Sequence, residues 1–295
     1  MRYTTLGRTA LQVSRLCLGA AEAVLDGGAD GPLDAALELG INWWDTTDRD
    51  GRADPVERAL GRWFAAAPGR RDKVVLGVDV RPPPGRPLSA RDLISSCDRS
   101  LARLGTGWID VYQVPTVGSR GAWDEVWHAA DVLVHQGKIR YLGVVGAAGW
   151  HLVAAQENAA RRRRLGLVAQ VGDYDPTRRE AETELIPAAR RYGIGVLARS
   201  PLSAALRGRG REVPALPAFR RLCAEAGRDP GEVALAWVLS REGVTAAAVE
   251  ARTAAELADA VRVLDAAPPA DLLARLDPLF PPVGRGGPAP EAWAV

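Results

Sequence analysis

Apolar residues in this chain fall into two kinds of stretch that take turns. Short continuous runs, rich in Val, Ile and Leu, read as buried strands. Longer stretches with apolar positions three and four apart read as amphipathic helices. Tyr3 to Val13 reads as a hairpin around Gly7-Arg8, and Ser14 to Gly19 as a first strand. A helix over Leu33 to Leu39 is stopped by Gly40. The run Ile41 to Trp44 ends in a carboxylate, Asp45, and helical spacing resumes at Val56, Leu60 and Phe64, ending near Ala66. Lys73 to Val80 is a third strand, broken by the proline-rich stretch from Pro82 to Pro87. Ser89 caps a helix that runs to about Leu104.

The alternation continues with a strand over Trp108 to Val114 and a helix over Trp123 to Gln136, closed by Gly137. Ile139 to Val145 is strand five, with a helix from Trp150 to about Arg163. Leu167 to Val171 is strand six, Glu180 to Tyr192 a helix, and Gly195 to Ser200 strand seven. A Gly/Arg/Pro loop over Leu206 to Pro217 precedes helices over Ala218 to Ala226 and Gly231 to Leu239. Thr245 to Val249 is strand eight, followed by a helix from Ala254 to about Leu264 and another near Asp271 to Leu279. Eight such strand-helix units predict an α/β fold, a closed (β/α)8 TIM barrel with an N-terminal hairpin and an extra C-terminal helix. It is read as one domain over residues 1–295, with 281–295 as a loose Gly/Pro-rich tail. A doubly wound open sheet is the alternative, but no Gly-x-Gly-x-x-Gly follows the first strand.

Composition narrows the class. At 295 residues, 47% hydrophobic and 25% charged, the chain is an ordinary globular protein with a large core. A net charge of +2 gives no global reason to expect nucleic acid or a membrane surface as partner. Cys17, Cys97 and Cys223 are far apart and odd in number, which fits a reducing cytoplasm and offers no metal spacing. No apolar run reaches bilayer length, and the first residues lack an apolar signal core. Arg outnumbers Lys so heavily, with Lys73 and Lys138 the only lysines, that the composition resembles that of high-GC bacteria. The run Arg161 to Arg164 reads as a solvated helix end, with a basic patch as the alternative. His128, His135 and His151 read as helix-surface residues, and Trp123, Trp127 and Trp150 as helix-to-barrel packing.

Five collinear segments resemble the aldo-keto reductase family across nearly the whole chain. They are Gly40-Ile-Asn-Trp-Trp-Asp-Thr, Ser100-Leu-Ala-Arg-Leu-Gly with Ile109-Asp-Val-Tyr-Gln, and Gly137-Lys-Ile-Arg-Tyr-Leu-Gly-Val. The others are Tyr192-Gly-Ile-Gly-Val with Ser200-Pro-Leu, and Gly243-Val-Thr with Ala251-Arg-Thr. The resemblance implies a catalytic set of Asp, Tyr, Lys and His. Carried over by position, the Asp is Asp45, while the Tyr place holds Asp50, the Lys place Asp79 and the His place Pro115. Neither lysine, and none of the histidines, lies near the places the family would use. It also implies an NADPH site. There Val145 and Gly146 replace Ser and Asn, Arg199 replaces an aromatic residue, and Glu250 stands against the 2′-phosphate. Glu256 and Ala260 replace usual adenosine contacts, whereas Gln170, Ser200, Leu202 and Arg252 remain as vestiges. Carboxylates beside a phosphate dianion imply weak or absent NADPH binding.

Alternation along the strands places Asp45, Asp79, Gln113, Gln170 and Arg199 at the barrel mouth, with Asp48 and Asp50 in the loop above. Tyr174 is read as facing in too, and Trp43 or Trp44 as a wall. The expected catalytic groups are Asp45, Asp50 and Asp79. The expected substrate contacts are Asp48, Gln113, Arg199, Tyr174 and Trp44. Crowded carboxylates favour one protonated acid beside one ionised base, which suits dehydration, isomerisation, cyclisation or hydrolysis. Mutual neutralisation of Asp45 and Arg199, or an oxygen-ligated Mg²⁺ or Ca²⁺ site, are the other readings of the cluster; no metal is expected. The leading expectation is therefore a cofactor-independent acid/base enzyme acting on a small molecule, in bacterial specialised metabolism. The alternatives are an oxidoreductase using NADP(H) or NAD(H), with Asp50 or Tyr174 as proton donor, and a non-catalytic relative that binds a small molecule or a partner.

Overall fold

A computed structural model describes residues 1–25, 31–46, 53–80, 88–116, 122–199 and 213–285. Two short strands, β1 (Tyr3–Thr5) and β2 (Gln12–Ser14), pair antiparallel as the expected hairpin. Eight further strands close a parallel barrel: β3 (Leu16–Gly19), β4 (Trp43–Asp45), β5 (Val75–Asp79), β6 (Ile109–Pro115), β7 (Ile139–Val145), β8 (Leu167–Asp173), β9 (Gly195–Arg199) and β10 (Val244–Val249). Around it lie α1 (Ala20–Leu25), α2 (Gly31–Glu38), α3 (Ala53–Ala66), α4 (Ala90–Leu104), α5 (Ala122–His135), α6 (Gly149–Arg161), α7 (Leu185–Tyr192), α8 (Leu216–Glu225), α9 (Pro230–Ser240) and α10 (Ala254–Asp265). Two short helices, α11 (Ala270–Ala274) and α12 (Leu276–Leu279), follow. The (β/α)8 TIM barrel is thus the architecture.

Strand alternation builds two separate cores. Cys17, Trp43, Val75, Val111, Val171 and Leu197 fill the barrel. Their strand neighbours Leu18, Trp44, Leu76, Tyr112 and Val196 pack outward against the helices. The hairpin plugs the bottom: Leu6 and Val13 join the inner cluster. Its turn sits at Gly7, with φ +55°, where a Cβ would lie 2.5 Å from the Gly193 carbonyl. Only a glycine lets the backbone approach that closely. Asn42 locks the plug, accepting from the Ser14 amide at 2.7 Å and donating to the Gln12 carbonyl at 2.9 Å.

Several helix ends follow their sequence signals. Ser89 and Asp92 form a reciprocal capping box on α4, and Thr253 caps α10. The segment expected as one helix over Glu180 to Tyr192 is instead a single 3-10 turn, Glu180–Glu182, followed by α7. Glu182 is held by Arg179 and by the Tyr174 hydroxyl, which fixes the turn away from the helix axis. The basic run at the end of α6 is a tie to α5: Arg162 pairs with Asp124 at 2.6 Å and Arg164 with Asp131 at 2.8 Å. Trp127 is buried and stacks on Trp123, whereas Trp150 is half exposed beside His151. Among the described residues no helix is long and apolar enough to cross a membrane.

Candidate active site

The carboxyl ends of β4, β5 and β6 bring three expected residues together. Asp45 lies in register with Gly77, and Asp79 with Gln113. All four sit on the inner face, in phase with Trp43, Val75 and Val111 below them. The Gln113 amide donates from Nε2 to Asp45 Oδ1 at 2.5 Å. Both side chains are almost fully covered, Asp45 at 3% and Gln113 at 1% exposure, and Asp79 is half-buried at the rim. Below Asp45 lies Cys17, whose thiol is pushed well above its ordinary value by burial, and further by the neighbouring carboxylate. Pro115 ends β6 opposite Val145 and offers no side-chain donor to the mouth.

Other expected members lie elsewhere. Arg199 ends β9 in register with Asp173 and is 3.4 Å from its carboxylate, so the pairing drawn for it is with Asp173. Arg178 bridges the same Asp173 and Asp175, at 2.6 and 2.8 Å. Tyr174, expected to face in, points out of the wall. It stacks on Trp237 of α9 at 5.5 Å and donates to Glu182 at 2.7 Å. Burial, and then Glu182, raise its phenol far above the ordinary value, so it is placed neither to touch a substrate nor to donate a proton at the mouth. Trp44 also faces outward, 4.9 Å from Trp63, with its indole N–H on the Ile41 carbonyl; Trp43 is the inner one of the pair. Gln170 is fully buried and shares its register with Val144 and Val196, which belong to the strand-to-helix layer. That phase sets Gln170 on the helix-facing side, where Nε2 donates to the Val171 carbonyl at 3.0 Å. Asp48, Asp50, Ser200 and Leu202 lie outside the described residues.

Beyond the end of β10, a pocket of about 290 Å³ opens between α9 and α10. Its floor is apolar, with Leu235, Ala248, Val249, Ala260 and Val263, while Glu232, Glu250, Arg252, Glu256 and Asp259 form much of the rim. Two helix N-termini point toward it, yet their amides already have acceptors. Asp229 takes Gly231 and Glu232, Thr253 takes Glu256, and the Glu256 carboxylate takes the Arg252 amide at 2.7 Å. An anion would meet these carboxylates as well as Arg252 on the rim.

Residues 21–279 match the model of the aldo/keto reductase family. Over all of both chains the protein is 38% identical to the uncharacterized oxidoreductase YrpG of Bacillus subtilis. It is 32% identical to the methylglyoxal reductase YeaE of Escherichia coli, over 86% of this chain and 85% of that one. Versiconal hemiacetal acetate reductase of Aspergillus parasiticus is 29% identical over 69% of this chain and 68% of its own. These matches overturn the expectation of a non-redox, cofactor-independent acid/base enzyme, and with it the expectation of no cofactor. The physical reason is a division of labour. Tyr, Lys and His in such a site handle the proton on the carbonyl oxygen, whereas the hydride belongs to the nucleotide, bound by residues on other strand ends. Changing the proton-handling groups does not by itself remove redox chemistry. With a closed eight-stranded barrel, a match over most of its length and an oxidoreductase alike from end to end, the chain belongs to the aldo/keto reductase family.

Proposed function

We propose that this protein is a nicotinamide-dependent oxidoreductase that reduces the carbonyl group of a small molecule, with NADH preferred over NADPH. The observation that carries the reading is the end-to-end similarity to an oxidoreductase. Two further relatives are named as reductases, one of them of methylglyoxal. The pocket after β10 fits the adenosine end of a dinucleotide: its apolar floor suits adenine, and carboxylates on its rim suit ribose hydroxyls as acceptors. It suits a 2′-phosphate less well, because Glu250 and Glu256 would oppose the dianion by about 1 kcal/mol each near the surface, against the single cation Arg252 on the same rim. The net is about 1 kcal/mol, or roughly fivefold in affinity.

The nucleotide supplies a hydride to the carbonyl carbon, and the protein must supply a proton to the oxygen. Asp79 is the inward, half-buried carboxyl at the end of β5, two residues beyond the Gly77 that lies in register with Asp45. Asp45 accepts from Gln113 deep in the mouth, whereas Asp79 lies at the rim where a carbonyl would enter, which supports Asp79 as the proton donor. Titration of the purified chain with NADH and NADPH, by fluorescence or calorimetry, tests the reading. Saturable NADH binding, tighter than that of NADPH, is the expected result. Failure of both nucleotides to bind up to millimolar concentration would refute it.

A further inference from the structure

Arg199 is the last residue of β9, and its phase follows the inner wall. Leu197, two residues below, belongs to the inner cluster, while Val196 and Ala198 pack toward the helices. The Arg199 side chain therefore enters the mouth, where it is 15% exposed. Its backbone is fixed by the strand ladder, and its carbonyl accepts from the Tyr174 amide at 3.3 Å. Buried arginines elsewhere in this chain spend their donors. Arg179 makes four hydrogen bonds, to Glu182, Asp277 and the Phe280 carbonyl. Arg71 makes three, to Asp110 and the carbonyls of Val74 and Trp108. Arg199 makes a single one, from Nε to Asp173 Oδ1, and at 3.4 Å it is longer than the usual range. That carboxylate is held more closely by Arg178, at 2.6 Å on its other oxygen. The edge formed by the two terminal nitrogens of Arg199 has no acceptor among the described residues, and neither nitrogen is sealed from solvent.

A guanidinium largely withdrawn from water, with one edge of its fork unpaired, is suited to receive a ligand. Two coplanar N–H groups match the two oxygens of a carboxylate, and such pairing is both strong and oriented. The corner is neutral as a whole, with Arg178 and Arg199 against Asp173 and Asp175. What is left over is donor capacity, on one edge of one side chain. Position adds a second condition. In the closed order of eight strands, β9 stands four strands from β5 in either direction. Arg199 and Asp79 thus face the mouth from opposite walls. We propose that the substrate is a small carbonyl compound that also carries a carboxylate, and that Arg199 is the residue that binds the carboxylate. This deepens the reductase reading and rests on it for the carbonyl half, whereas the carboxylate site does not depend on it. The substrate lies across the mouth, with its carboxylate on the terminal nitrogens of Arg199 and its carbonyl toward Asp79.

The test first reads binding without turnover. Benzoate and benzamide are close in shape and differ in charge. Each is titrated by calorimetry into the full chain as wild type, Arg199→Met and Arg199→Lys. Wild type is expected to prefer benzoate by about tenfold or more, as for a hydrogen-bonded charge pair. Arg199→Met should lose that preference, and Arg199→Lys, which keeps the charge without the fork, should keep part of it. Equal binding of the two by wild type, no binding of either at high millimolar concentration, or a preference that survives Arg199→Met would overturn the proposal. Turnover with NADH gives the second reading, using 4-formylbenzoate and its methyl ester. The ratio of their kcat/KM values is compared, so that a general loss of activity cancels. That ratio is expected to fall about tenfold or more in Arg199→Met, through KM for the acid. An unchanged ratio with weaker NADH binding would assign Arg199 to the pyrophosphate of the nucleotide and overturn the proposal. If the benzoate preference is present but NADH does not bind, the reductase reading fails and the carboxylate site stands. If NADH binds and no preference is found, the reductase reading stands and this substrate class falls.

Discussion

Removing the Arg179 guanidinium is the most direct probe of what holds the post-β8 segment to the end of the chain. Arg179 is 7% exposed. It donates twice to Glu182, at 2.8 and 2.9 Å, once to Asp277 at 2.8 Å and once to the Phe280 carbonyl at 2.7 Å. Its guanidinium also lies 5.0 Å from the Trp237 ring centre. Breaking a buried ion pair by deleting one partner costs about 3–5 kcal/mol. Here the lower end applies, because Asp277 keeps Arg241 at 2.6 Å and Glu182 keeps the Tyr174 hydroxyl. The Phe280 carbonyl, by contrast, loses a buried donor. Arg179→Met fills most of the volume, so the expected loss is about 3 kcal/mol, and roughly 6–10 °C in Tm for a chain of this size. Arg179→Lys keeps the charge but not the fork, and should lose about half as much. Urea unfolding followed by tryptophan fluorescence measures both. If Arg179→Met costs less than about 0.5 kcal/mol at unchanged m-value, the bonds make no net contribution and the reasoning fails.

Acid should weaken the same clamp. Burial pushes the Asp277 carboxyl up, but Arg241 and then Arg179 outweigh it, so its folded value lies below the ordinary 3.8. A depressed carboxylate contributes stability above its unfolded value and loses it as pH falls through the folded one. Wild type should thus exceed Asp277→Asn in urea midpoint at neutral pH, and the gap should close below about pH 4. Replacing Glu250 and Glu256 together by Gln should raise NADPH affinity about 30-fold while leaving NADH within a few-fold; an unchanged ratio in calorimetry would detach the rim from nucleotide choice. Asp79→Asn should lower kcat by about a hundredfold or more with NADH binding intact, as expected for loss of a general acid. Retention of wild-type turnover by that variant would move the proton donor elsewhere.

The barrel was legible because eight apolar runs and eight helical repeats leave few other topologies. The mouth was legible only in part, and the failures share one cause. A strand reveals which residues it holds more readily than which face each one takes, since a slip of one residue inverts every side chain. Trp43 and Trp44 are both apolar, so hydropathy has no phase to offer between them, and Trp44 was the one chosen as a wall. Gln170 and Tyr174 lie four apart on the same side, and that side is the outer one. Asp45, Asp79 and Gln113 came out together because each follows an inner residue by two: Trp43, Gly77 and Val111. The Glu182 turn was hidden because the Tyr174 and Arg179 side chains that hold Glu182 carry no helical or strand periodicity. The non-redox expectation rested on replaced proton-handling residues and on single replaced contacts of the nucleotide site, such as Val145, Arg199 and Glu250, and neither by itself removes hydride chemistry.

The plug at the bottom of the barrel also sets an order of events for a chain emerging from a ribosome. Residues 3 to 19 have near partners, since β3 pairs with β4 and Asn42 binds Ser14 and Gln12, but their other side waits for residues far downstream: Arg8 donates to the Gly193 carbonyl, and β3 pairs with β10. Arg15 likewise reaches the carbonyls of Val244 and Leu239. Until some 230 further residues have been made, the opening segment lacks the partners on its second side. Loop closure over such a span is slow, and an unpaired strand edge meanwhile invites pairing with other chains. The strands of the nascent chain that can pair early are β3 to β9, each beside its predecessor. Sealing the barrel is then the last act of synthesis, and a truncated chain lacking β10 would expose β3 and β9 at once.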